Sequence, residues 1–210
     1  FQGRAAGHIV AGSLEHHARA DDHLQLVQDI DWIGPSEWGA PDGRTLAREQ
    51  RTTTIRHIAG DSDNRDDDPA AFVIDVTSQL APTEWTLRIG PTRHAYFGIR
   101  LVEPLRPALG GQLADPTGPR TAADIVGGPG TWVQASAEVV AGHTAGVVVV
   151  RDPETAEMPW SLHEWGTIDV NPLGTVARDL APDDTLSCRL RLVVHDGCYT
   201  PEQIDHLARL

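Results

Sequence analysis

Ala145-Gly146-Val147-Val148-Val149-Val150-Arg151 is the stretch that decides the fold. Four consecutive β-branched residues favour an extended chain, and successive side chains leave a strand on opposite faces, so this segment is apolar on both. A strand of that kind belongs in a sheet covered on both sides. Further out, Ile74, Val76 and Ser78 alternate with Asp75, Thr77 and Gln79, the pattern of a strand with one wet face. Alternating or β-branched segments recur between Gly, Pro and Asp clusters at 8–15, 24–32, 45–58, 71–80, 84–89, 97–102, 132–140, 145–151, 161–170 and 185–195. Amphipathic helical periodicity is nearly missing. The exception is Thr200-Pro201-Glu202-Gln203, where the Thr hydroxyl caps the chain, Pro suits the first helical position and Gln203 completes a capping box. Ile204, Leu207 and Leu210 then form one apolar stripe. The expectation is an all-β protein, an antiparallel β-sandwich over 1–210 as a single domain, with one short C-terminal helix docked on it.

Charge narrows the function classes. Seventeen basic residues, all of them Arg, stand against 30 acidic ones, for a net charge of −13. No basic stripe is visible, so the chain does not read as a nucleic-acid binder. The absence of Lys removes Schiff-base chemistry and a Lys-tipped phosphate loop. The longest apolar runs fall far short of the ~20 residues of a membrane helix. With no signal peptide, the expected location is cytoplasmic. Cys188 and Cys198 are read as two reduced, partly buried thiols in preference to a hairpin disulfide.

Three breaks interrupt the strand pattern. The Asp-rich run 60–69 has too much like charge to pack and reads as a solvated turn; it lacks the glycine and distal glutamate of a calcium loop. Residues 104–130 hold many of the prolines and glycines and read as one long loop of lid or binding type. Residues 153–159 form a short connection.

Ten histidines are scattered without the His-x-x-x-His spacing of a zinc hydrolase. There is no nucleophile elbow, phosphate loop or dinucleotide fingerprint. Glu49 and Glu84 are strand carboxylates suited to acid or base work. The six tryptophans are the skewed feature: an indole stacks well on the C–H face of a sugar, although the same ring also fills a sandwich core. Trp160 and Trp165 bracket Ser161-Leu162-His163-Glu164, and on a strand Ser161, His163 and Trp165 share a face. A second constellation, His94, Tyr96, Arg100 and Glu103, converges just before the long loop.

Several short motifs resemble the PmoA-like family, whose members carry a methane-oxygenase label. They are Leu26-Val27-Gln28-Asp29-Ile30-Asp31-Trp32, Pro41-Asp42-Gly43-Arg44-Thr45-Leu46, Glu49-Gln50-Arg51 and Gly98-Ile99-Arg100. The approach to Trp132, Pro159-Trp160 followed by Asn171-Pro172, and Val194-His195-Asp196-Gly197 complete the set. The resemblance implies a sandwich of the galactose-mutarotase-like kind tied to carbohydrate catabolism in bacteria, and no established reaction. It also implies that a His-rich N-terminal part of the family has no counterpart in this chain. An exposed strand edge left there predicts pairing with a second copy, as a homodimer, or with a second chain that supplies the missing part. The oxygenase label does not suit the sequence, which contains no membrane helix.

These readings converge on a carbohydrate-active protein of mutarotase-like type, an epimerase, mutarotase or lyase. It would carry out acid/base proton transfer on a sugar or oxidised sugar without a metal or other cofactor. His94 or His163 with Glu103 form the expected catalytic set, and Arg100, Trp132, Trp160 and Trp165 the ligand-binding set. Two alternatives accompany it: a non-catalytic sugar- or partner-binding sandwich, and a metal-dependent oxygenase or cupin-like enzyme with ligands from distant strands.

Overall fold

The computed structural model describes residues 6–19, 23–37, 40–58, 71–90, 97–153, 158–170, 176–197 and 199–209. Within them the chain is an antiparallel β-sandwich. The strands are β1 (His8–Arg19), β2 (His23–Ile33), β3 (Thr45–Ile58), β4 (Ala71–Pro82), β5 (Leu87–Ile89), β6 (Phe97–Arg100) and β7 (Gln112–Asp115). They continue as β8 (Gly118–Arg120), β9 (Trp132–Val140), β10 (His143–Arg151), β11 (Trp160–His163), β12 (Thr167–Val170), β13 (Arg178–Leu180) and β14 (Leu186–Asp196). A short α1 (Ala122–Ile125) and a terminal α2 (Pro201–Arg209) complete the set.

One layer is a nine-stranded sheet in the order β1-β2-β3-β4-β14-β10-β9-β7-β8. The other is built from a three-stranded sheet, β11-β12-β6, and a two-stranded one, β13-β5. The valine run does what its two apolar faces require. Val147 and Val149 pack with Trp160, Leu162, Ile168 and Val170 of the smaller layer. Val148 and Val150 point the other way, into a cluster with Trp132, Val193 and the α2 side chains Ile204 and Leu207. Helix α2 has the expected reciprocal cap: Gln203 N–H donates to the Thr200 hydroxyl and Thr200 N–H to the Gln203 side chain. A third cluster, Ala47, Leu80, Leu186 and Cys188, is closed by Leu180 from β13. Cys188 is a buried free thiol, and desolvation pushes its pKa up to about 12. Cys198 and the Asp-rich run 60–69 lie outside the described residues.

Two expectations need correction. Residues 104–130 are not one structureless loop. They fold into two 3-10 turns, at Glu103–Leu105 and Pro107–Leu109, the β7–β8 hairpin and α1, whose Thr121 and Asp124 form a capping box. β7 is held in place by pairing with β9, a contact too short to leave any periodicity of its own. Residues 161–170 are not one strand but the hairpin β11–β12, which reverses at Glu164-Trp165-Gly166.

No helix among the described residues is long and apolar enough to cross a membrane.

Candidate functional site

The three-stranded sheet turns Trp160, Leu162, Ile168 and Val170 inward, all of them buried. Alternation therefore sends the side chains between them outward. Cross-strand pairs Ser161↔Asp169 and His163↔Thr167 continue into Asp169↔Gly98 and Thr167↔Arg100, so six residues from three strands share the outer face.

The reversal after His163 explains the arrangement above that face. Gly166 adopts a left-handed φ of 102°, and a β-carbon there would stand 2.6 Å from the Arg106 Cγ. Only glycine meets both demands. Gly166 N–H donates to His163 O at 2.8 Å, while Leu101 N–H donates to Gly166 O at 2.7 Å and Ala108 N–H to Glu164 O at 2.9 Å. The turn is thereby tied to the end of β6 and to the second 3-10 turn, and it folds Trp165 back over the sheet.

The Trp165 indole stacks on the His163 imidazole, with 5.3 Å between ring centroids and 12° between planes. The Arg100 guanidinium carbon lies 5.4 Å from the indole centroid. His163 and Arg100 flank Thr167 on the outer face, two strand spacings or about 9.6 Å apart. The indole thus contacts both side chains that flank Thr167, whose hydroxyl is buried. Trp165 is still 49% exposed. The result is a row of three planar groups in contact, guanidinium, indole and imidazole, each of which carries N–H donors.

Asp169, on the same face, was not among the residues singled out from the sequence; strand alternation sets it on the face of His163, and the β11–β12 hairpin brings it near. Its carboxylate folds over Gly98, where a β-carbon would meet the Asp169 Oδ1 at 2.2 Å. Burial pushes the Asp169 pKa above the ordinary carboxylate value, and the Thr167 hydroxyl and the His163 charge pull the other way. A carboxyl and an imidazole on one face of a small sheet offer an acid and a base.

A family model matches residues 2–209, nearly the whole chain. The chain belongs to DUF6807, a family of unknown function. No curated protein and no solved structure matches it. Nothing in these comparisons connects DUF6807 with PmoA-like or galactose-mutarotase-like proteins.

The remaining expected site residues of this DUF6807 chain are distributed as follows. Trp132 and Trp160 are each 1% exposed and offer no face to a ligand, which corrects their expected role as platforms. Trp132 donates its indole N–H to Asp205 at 2.9 Å and so anchors α2. Trp160 donates to the Gly130 carbonyl at 2.7 Å under the Arg151 guanidinium. Glu103 is exposed and pairs with Arg106 at 3.6 Å; among the described residues no hydrogen bond or ion pair joins it to His163. His94 and Tyr96 lie outside the described residues.

Of the two carboxylates expected on strands, Glu84 lies in a bend before β5 (Leu87–Ile89) and is exposed, while Glu49, on β3, is buried. Glu49 accepts from Trp32 Nε1 at 3.0 Å, from Ser78 Oγ at 2.8 Å, and from Arg51 Nε and Nη2 at 3.0 and 2.7 Å. No group of three or more His, Cys, Asp or Glu among the described residues is placed to hold a metal ion.

Proposed function

We propose that this DUF6807 protein is carbohydrate-active, of mutarotase-like type, and moves a proton on a sugar or oxidised sugar at the outer face of the β11-β12-β6 sheet. The observation that carries the proposal is the Arg100–Trp165–His163 row with Asp169 beside it. His163 and Arg100 already contact the indole, which leaves less of its face for stacking on a sugar. Three neighbouring groups that carry N–H donors suit the oxygens of an oxidised sugar, a carboxylate above all, better than the C–H face of a neutral ring. This favours the oxidised half of the expected substrate class.

In this reading Arg100 and the indole N–H hold the substrate oxygens. His163 and Asp169 form the acid/base pair: one takes a proton from the carbon or hydroxyl next to the polarised group and the other returns one, so atoms and charge balance without an oxidant.

The test is deuterium uptake from solvent, followed by proton NMR, across hexoses, hexuronates and keto-sugars. The expected result is enzyme-dependent exchange with one oxidised class. His163→Gln and Asp169→Asn should each slow it by about a hundredfold or more, and Arg100→Gln should raise KM more than it lowers kcat. Unchanged exchange in both the His163 and Asp169 variants removes the proposal. Sugar-dependent Trp fluorescence with no exchange by the parent protein would instead favour the binding-only sandwich.

A further inference from the structure

The large sheet has a second polar array, on the face opposite Glu49 and Ser78, that the proposed function leaves unused. The register places Asp29 against Gln50, Gln50 against Gln79 and Gln79 against Ser187, so one row crosses β2, β3, β4 and β14. Strands stand about 4.8 Å apart, so the row is about 14 Å long. Two residues along, Asp31 pairs with Arg48, and Arg48 with Ala81. The small Ala81 side chain leaves the second row low, and an open hollow of about 610 Å³ lies over Asp29, Asp31, Arg48, Gln50 and Gln79.

The groups in this hollow are already oriented. Ser13, in the β1 bulge, donates to Asp29 Oδ2 at 3.0 Å, and Gln50 Nε2 donates to Oδ1 at 3.4 Å. Arg48 approaches Asp31 at 3.6 Å. Side chains linked on rigid strands lose little freedom when a ligand arrives.

The chemistry selects among ligands. A phosphate calls for donors alone and a cation for acceptors alone, whereas amides, carboxylates, a hydroxyl and a guanidinium alternate here within one footprint. That mixture matches a polyhydroxylated ligand, whose neighbouring hydroxyls each donate and accept. Two carboxylates, Asp29 and Asp31, against the single Arg48 disfavour an anionic sugar at this face. The geometry points to a binding face for a neutral saccharide of at least two units on β2, β3, β4 and β14. It is separate from the Trp165 row and does not depend on it.

The experiment follows the side-chain amide signals of the ¹⁵N-labelled protein while maltose, cellobiose and diacetylchitobiose are added in turn to tens of millimolar. At least one should shift the Gln50 and Gln79 amides saturably. Gln50→Ala combined with Gln79→Ala should weaken that binding about tenfold, and Trp165→Ala should leave it unchanged. Both glutamines are exposed, so their replacement does not touch the core. If none of the three disaccharides moves these amides, the inference falls. If only the Trp165 indole signal moves, the inference falls and the proposed function stands. Movement of the glutamines alone, with no deuterium exchange in any sugar, upholds this face and removes the other.

Discussion

A β-carbon on Gly146 would stand 2.7 Å from the His195 ring and 3.0 Å from the Ala135 carbonyl oxygen. The bare glycine on β10 thus opens the slot in which the imidazole of β14 packs. The ring meets Tyr199 edge-on at 4.3 Å and contacts Gln134 Nε2 through its own Nε2 at 3.2 Å. It is 2% exposed and has nowhere to swing. Gly146→Ala should therefore destabilise the protein by about 1–3 kcal/mol, read as a lower urea midpoint at an unchanged slope. Parent-like stability would mean that the imidazole has room to move.

Burial holds the His195 imidazole below its ordinary pKa, against the backbone carbonyls of Asp196 and Gly197 and the Asp196 charge. The unfolded chain then accepts a proton that the folded one refuses. Stability from this group is fully present above the unfolded value of about 6.5 and is lost as the pH falls through the depressed folded value. Urea midpoints should fall on acidification between those two values in the parent and fall less steeply in His195→Gln. Equal slopes would assign the acid sensitivity elsewhere.

Asp169 has the opposite sign. Its pKa is raised by burial, so its contribution is fully present below the unfolded carboxylate value of 3.8 and disappears as the pH rises through the folded value. Asp169→Asn, which mimics the protonated form, should be more stable than the parent near neutral pH, with the gain shrinking on acidification. A stability difference that stays constant with pH would show that burial does not control this carboxyl.

Glu49 gathers the Trp32 indole, the Ser78 hydroxyl and the Arg51 guanidinium on one carboxylate that is 3% exposed. Glu49→Ala removes the acceptor these groups share, the buried Ser78 hydroxyl among them, and should cost about 1–3 kcal/mol. Glu49→Gln, which keeps one acceptor oxygen, should cost less. Chemical denaturation monitored by Trp emission compares the two, and equal losses would mean that packing, not hydrogen bonding, is what Glu49 supplies.

Long strands were the legible part of the sequence. β3 and β9 begin and end where their patterns do, and the doubly apolar valines lie between a sheet and a helix. The segments of three and four residues were not legible, because β7 and β8 owe their conformation to β9 and not to local preference. Within the candidate site, His163 and Trp165 were expected on one face and do stack, but across a turn that Gly166 imposes and that the single-strand reading of 161–170 passed over. Trp132 and Trp160 show a different limit. An indole's composition signal is the same in a core as on a platform, and only the packing of the second layer decides which face is inside.

Strand β14 lies between β4 and β10, and it alone joins the β1–β4 meander to the β10-β9-β7-β8 half of the large sheet. Asp75 and Arg191, which meet across that seam at 2.6 Å, are 116 residues apart in the chain. The first four strands can pair in order of synthesis, but the two halves become one sheet only when Leu186–Asp196 arrives. Closing so long a loop makes this the slow, entropy-limited step of assembly. Until then both halves expose unpaired edges open to wrong pairing.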